Sequence, residues 1–196
     1  MTSRAVTQID NFNVLYNVIR ERFAVYFDMI DDNTSAVERE NILKSAYNSV
    51  TLAIDVDDTY LQNTDTLELI LDGQPDTKVR GATCVVNGSR FTLTAPDNVT
   101  VLNDLRAKGV NIVFVTSRGQ NQQLETSAQI SVFGYENPTV YCTDRTEKGP
   151  YLKRVLPSLN GGILIAIDDL DDMLNTYVTA SAYDASRVVL LKFMPF

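Results

Sequence analysis

The run Thr51-Leu-Ala-Ile-Asp55-Val-Asp57-Asp58-Thr59 decides how this chain is read. An apolar stretch with the character of a buried strand stops at two carboxylates one residue apart, with Thr59 close behind. Strand side chains alternate faces, so Asp55 and Asp57 would share a face if extension persisted. A turn just after Asp55 would instead set both acids at the carboxyl edge of a sheet. Acids this close repel one another unless a cation, a shared proton or a substrate relieves them. A core strand that ends this way is costly, which points to function.

Working outward, the chain alternates between strand and helix patterns. Asn98 to Lys108 reads as a helix stopped by Gly109, and Val110 to Val115 as a buried strand. Gln120 to Val132 reads as helix, Thr139 to Cys142 as a short strand, and Lys148 to Leu156 as helix. Gly162 to Ile167 follows as strand, Asp169 to Ala182 as helix, and Arg187 to Phe193 as a last strand. This order predicts an α/β fold, a three-layer Rossmann-like parallel sheet wrapped by helices on both faces. Ligands of such sheets sit beyond the carboxyl ends of the strands.

Before the quoted run, residues 1–50 read as a helical extension packed on the core, and 51–196 as the α/β domain. Ile9, Phe12, Leu15, Ile19, Phe23, Tyr26, Phe27 and Ile30 recur mostly at three- and four-residue steps, an amphipathic helix. Asp31 to Ser35 breaks it, and Ser35 with Glu38 forms a capping-box pattern for a second helix to about Ser49. The segment 64–95 reads as a small β insertion, with strands at Thr66 to Leu71 and Ala82 to Thr94, the latter turning at Asn87-Gly88.

Composition narrows the chemistry. The chain has 196 residues, 44% of them hydrophobic, enough for one substantial core. It has no histidine, which removes Ser/His and Cys/His catalysis, His-ligated zinc and histidine as a general base. A net charge of −8 without a long basic run argues against nucleic acid as a partner. Two cysteines make no disulfide scaffold, and no apolar stretch reaches membrane-spanning length. The amino terminus lacks a signal-peptide core. A cytoplasmic location is therefore expected, with secretion by a route that needs no cleaved signal left open.

Four groups are expected at strand ends or helix starts. Asp55 and Asp57 follow the first strand, and Thr116-Ser117-Arg118-Gly119 follow the second. Lys148 opens a helix, and Asp168-Asp169 close the strand Ile163 to Ile167, with Asp171 and Asp172 beyond. Taken singly, each has an ordinary explanation: an acid after a strand caps helices, a threonine fills turns, a lysine is solvated. On one rim of a parallel sheet they combine as a phosphoryl-transfer site needs. They supply a nucleophile, an acid, hydroxyl and ammonium donors, and carboxylates for a divalent cation.

The order Asp55-Val-Asp57-Asp58-Thr59, then Thr116, Lys148 and Asp168-Asp169, resembles the four-motif signature of the haloacid dehalogenase superfamily. The resemblance spans about Thr51 to Phe193, and the helices before the first strand are similar to its acid-phosphatase-like branch, here with a minimal cap. Ser117 departs from a common glycine and Tyr60 from a small aliphatic residue. The resemblance implies that Asp55 is the nucleophile, forming an aspartyl-phosphate, and that Asp57 is the acid and base. It implies that Thr116, with Ser117 beside it, and Lys148 hold the phosphoryl group. It implies Mg²⁺ on Asp55, the Asp57 backbone carbonyl, Asp168 and Asp169, with Asp172 as the rival of Asp169. An acid at the position of Asp57 sets phosphatases apart from the family's dehalogenases and transport ATPases.

The expected function is thus a Mg²⁺-dependent phosphatase of phosphate monoesters. Short insertions leave little room for a lid, which suits a bulky phosphoprotein, phosphotyrosine included, over a small phosphoester or nucleotide. A catalytically silent interaction protein on this fold is the non-enzymatic alternative. Cys84 and Arg90 share the cysteine-phosphatase spacing, but Asn87-Gly88 between them favours a hairpin turn over a phosphate loop, and no histidine precedes the cysteine. A phosphoacceptor receiver domain uses the same residue types in another order.

Overall fold

The computed structural model describes residues 6–63, 84–86, 89–159 and 162–194. The quoted run forms β2 (Val50–Ile54), buried at every position. Its side chains divide between two cores, as the alternation of a strand buried on both faces requires. Leu52 and Ile54 enter one core with Ile112, Phe114, Ile165 and Ile167. Ala53 enters the other with Val113, Val115, Leu164 and Ala166.

Six strands make one all-parallel sheet. Its order is β1 (Thr7–Ile9), β9 (Val188–Phe193), β8 (Ile163–Asp168), β2, β6 (Asn111–Thr116) and β7 (Thr139–Cys142). The chain runs outward from β2 through β6 to β7, then returns to β2's other side for β8 and β9. Helices α1 (Val14–Arg22), α4 (Asn98–Ala107) and α5 (Gln123–Val132) line the first core through Leu15, Leu102 and Ile130. Helices α6 (Lys148–Val155) and α7 (Asp171–Thr176) line the second through Leu152 and Leu174. The three-layer α/β arrangement is the one expected.

The amino-terminal segment differs in two respects from a helix over Ile9 to Ile30. Thr7–Ile9 is an edge strand, with Ile9 opposite Phe193. Phe12 then drops into the core, its ring edge-on to Phe193 at 5.8 Å and stacked with Tyr60 at 6.4 Å. Pairing with β9 claims the backbone at Ile9, so α1 starts only at Val14. Phe23, at φ −116° and ψ 29°, separates α1 from α2 (Ala24–Asp28). Before α3 (Ala36–Asn48) the capping box is present, Glu38 N–H donating to Ser35 Oγ at 3.3 Å and Ser35 N–H to Glu38 Oε2 at 3.1 Å.

Two further boundaries move. The helix expected from Asp169 to Ala182 is shortened to Asp171–Thr176. At its start, Asp168 Oδ1 accepts from Leu170 N–H at 3.0 Å and holds Leu170 extended. At its end, Thr179 Oγ1 turns back to Thr176 O at 3.0 Å, a hydroxyl competing for helical backbone. The β insertion is an antiparallel sheet of β3 (Leu61–Asn63), β5 (Ser89–Leu93) and β4 (Cys84–Val86). It begins at Leu61 because Leu61 pairs with Leu93; the strand expected at Thr66 to Leu71 and the Asn87-Gly88 turn lie outside the described residues. Among the described residues no helix is long and apolar enough to cross a membrane.

Gly149 governs how α6 meets α7. Its N–H donates to Thr176 Oγ1 at 3.0 Å, and a Cβ there would lie 2.1 Å from the Thr176 carbonyl oxygen. Gly149→Ala should therefore lower stability by about 1–3 kcal/mol in urea unfolding, the usual scale of overpacking. An unchanged midpoint would contradict this close approach.

Candidate active site

The site begins with the ladder. Ile54 of β2 is opposite Ile167 of β8, so Asp55 and Asp168 leave adjacent parallel strands side by side. Asp55 N–H still donates to Ile167 O at 2.9 Å, extending the ladder by one residue and fixing the Asp55 backbone. The chain then turns sharply. Tyr60 and Leu61 N–H both return to Val56 O, at 3.0 and 2.8 Å, and Asp58 takes a left-handed φ of 59°. Aspartate tolerates that conformation better than most residues. The same turn anchors the insertion, since Thr94 N–H donates to Tyr60 O at 3.1 Å and Thr94 Oγ1 to Thr59 O at 2.7 Å.

Lys148 enters from the amino terminus of α6. Its ammonium donates to Asp55 Oδ1 at 2.5 Å and to Asp168 Oδ2 at 2.7 Å, and all three groups are buried. Gly149 sets its depth. The preceding loop is stitched to the end of β6, with Thr143, Asp144 and Arg145 N–H donating to the carbonyls of Thr116, Arg118 and Ser117. Asp144 and Arg145 both take positive φ to make this reach, 54° and 62°. Ser117 takes part through its carbonyl. Thr116 is buried, with its Oγ1 3.3 Å from Asp57 Oδ2.

The acids divide into two groups. Carboxylate oxygens of Asp55, Asp168 and Asp169 lie within 4.8 Å of one another. Asp57, half-exposed, is instead gripped by Arg118, with Nη2 donating to Oδ1 at 2.6 Å and Nε to Oδ2 at 3.0 Å. The Asp57 side chain thus stands apart from the Asp55, Asp168 and Asp169 carboxylates. Asp172 is exposed on α7 and Asp171 pairs with Lys192 at 2.8 Å, so Asp169 is the acid that joins the cluster.

Charge in this pit does not balance. Three clustered carboxylates face one ammonium. Burial pushes Asp55 up to about 8; Lys148 pulls it down and the Asp168 charge pushes it further up. Burial, then the Asp168 charge, push Asp169 up to about 6. Burial works against the Lys148 ammonium, yet Asp55 and Asp168 together hold its pKa above the ordinary value. An all-oxygen set of carboxylates, two buried and one half-buried, that crowd one another into raised pKa values fits a hard divalent cation such as Mg²⁺.

The motifs that resemble the haloacid dehalogenase signature therefore meet at one rim of the sheet. No family model matches the chain, and no curated protein matches it. Among solved structures, it is similar to a variant of the fission yeast RNA polymerase II CTD phosphatase Fcp1 bound to beryllium fluoride. That similarity runs at 19% identity and a TM-score of 0.43, over 70% of this chain and 42% of the other. The chain thus spans less than half the length of that neighbour.

Sequence reasoning missed Arg118 and its supports. Arg118 Nη1 donates to Thr126 Oγ1 at 3.0 Å and to Gln129 Oε1 at 2.5 Å, and its guanidinium sits 5.7 Å from the Phe91 ring centroid. A signal existed: Thr126 and Gln129 are polar residues three apart on the helix face that also carries Ile130.

Histidine is absent, so these acids dominate titration between the ordinary carboxylate range and neutrality. A carboxyl whose pKa rises on folding stabilises the fold while protonated, and that contribution is lost as pH rises through the folded value. Metal-free protein should thus lose stability from about pH 4 through about 6 as Asp169 ionises, and further toward about 8 as Asp55 follows. Saturating Mg²⁺ should flatten this decline and add about 2.7 kcal/mol at 100 times its Kd. Thermal unfolding across that range checks both. A metal-free Tm that rises with pH would contradict the crowding.

Proposed function

We propose that the chain is a Mg²⁺-dependent phosphatase of the haloacid dehalogenase type. The observation that carries this reading is the Lys148 ammonium held between Asp55 and Asp168, with Asp169, Thr116 and Asp57 on the same rim.

Asp55 is the nucleophile. Lys148 and the register of β2 against β8 fix its carboxylate, so little reorganisation precedes attack. An Asp55 oxygen bonds to phosphorus while the bond to the leaving oxygen breaks, giving an aspartyl-phosphate. Asp57 gives its proton to the leaving oxygen. It then takes a proton from water, which attacks the same phosphorus and releases Asp55 and inorganic phosphate. Lys148 and the Thr116 hydroxyl, with Ser117 beside it, hold the phosphoryl oxygens. Asp55, the Asp57 carbonyl, Asp168 and Asp169 would hold Mg²⁺, which neutralises phosphoryl charge when bound.

Phosphate monoesters resist water so strongly that enzymes accelerate their hydrolysis by up to roughly 10²¹. Without histidine, that demand falls on preorganised charge, which these residues supply. The proposed substrate is a phosphoprotein, phosphotyrosine included, because short insertions leave room for a bulky partner and a charge of −8 disfavours nucleic acid.

Hydrolysis of p-nitrophenyl phosphate should require Mg²⁺ and disappear in Asp55→Asn. Wild-type rates in that variant would overturn the assignment. Asp57→Asn should slow turnover on the order of 10²-fold or more while Mg²⁺ affinity, read by thermal shift, stays near that of wild type. A loss of affinity equal to that of Asp168→Asn would refute the acid–base role.

A further inference from the structure

Arg118 is built in more firmly than a surface ion pair requires. Its Nε and Nη2 form a two-pronged contact with the two oxygens of Asp57, at 3.0 and 2.6 Å. Its Nη1 is held from behind by Thr126 and Gln129 of α5, both essentially buried, and Phe91 of β5 walls the guanidinium. Buried polar side chains on a helix's inner face are unfavourable unless bonded, and here their shared partner is this one guanidinium. The pair itself contributes little to stability, because the Asp57 side chain is 50% exposed. What the fork supplies is geometry. Two parallel N–H bonds set both the position of a carboxylate and the rotation of its plane, which one ammonium cannot do.

We propose that Arg118, cradled by Thr126, Gln129 and Phe91, is a positioning residue that orients the Asp57 carboxyl toward the leaving-group oxygen. This rests on the phosphatase reading of the site. Proton transfer demands hydrogen-bond reach to the departing oxygen, and Asp57 lies on a turn with half its side chain in solvent. Nothing in that turn fixes its carboxyl plane; the Thr116 hydroxyl reaches one oxygen at 3.3 Å, and the Arg118 fork holds both. Helix α5 and the inserted sheet thereby serve the reaction from outside the motifs that carry the nucleophile and the metal ligands. Phe91 also links the inserted β3–β5–β4 sheet to the guanidinium that holds the acid.

Leaving groups test this. p-Nitrophenolate departs with little need of a proton, whereas an alkoxide must be protonated. The measurement is kcat and KM with Mg²⁺ on p-nitrophenyl phosphate and on glycerol phosphate, for wild type, Arg118→Met, Arg118→Lys and Gln129→Leu. Arg118→Met should lower kcat on the alkyl ester roughly 10-fold more than on the aryl ester, with KM for each held within about 2-fold. Arg118→Lys should recover only part of the difference, since charge returns without the fork. Gln129→Leu should shift the ratio the same way by less, and it carries the test alone if Arg118→Met does not fold. Equal losses on both esters, a rise in KM as the main effect, or full recovery in Arg118→Lys would each overturn the proposal. A wild type inactive on both esters would bring down the phosphatase reading and this proposal with it. An active wild type with an even loss sinks the Arg118 assignment alone.

Discussion

A single buried ammonium holds the rim of this sheet together. Lys148 spans Asp55 and Asp168, which leave neighbouring strands at the same level, and Asp169 adds a third carboxylate beside them. Buried ion pairs give little net stability, because desolvation offsets their attraction. Their value here is positional. One cation among three carboxylates leaves the cluster short of positive charge, an arrangement that could hold a divalent ion.

Topology puts this arrangement where it is. The chain leaves β2 in both directions across the sheet, and the site lies beyond the carboxyl ends at that reversal. Around it, each wall is fixed by a specific contact. The turn after Asp55 closes on Val56 O, the loop before Lys148 is stitched to the carbonyls of Thr116, Ser117 and Arg118, and α6 is seated by the bare backbone of Gly149 against Thr176. Two non-glycine residues in left-handed conformation, Asp144 and Arg145, show that the stitching is worth some backbone strain.

Much of this was legible in the residues because the signals were local. An apolar run stopping at acids marks a buried strand end, and strand–helix alternation implies parallel crossovers, so the three-layer sheet followed. The Ser35–Glu38 capping box is a short-range device and appears as read. Where the reading slipped, a distant partner intervened. Ile9 joins a strand because Phe193 pairs with it, and Leu61 does so because Leu93 does. The helix after Asp168 is cut short at one end by the Asp168 carboxylate and at the other by threonine hydroxyls.

Residue types and spacing alone determined which chemistry was open to the protein: no imidazole, acids at strand ends, a hydroxyl and an amine in a fixed order. Only the tertiary structure decided how the acids divide. Asp55, Asp168 and Asp169 converge on one another, while Asp57 turns to a guanidinium that helix α5 and strand β5 hold in place. The physical reason is range. Periodicity and local turns are written in neighbouring residues, but the pairing of Asp57 with Arg118 depends on where two loops and a helix come to rest after the sheet has formed.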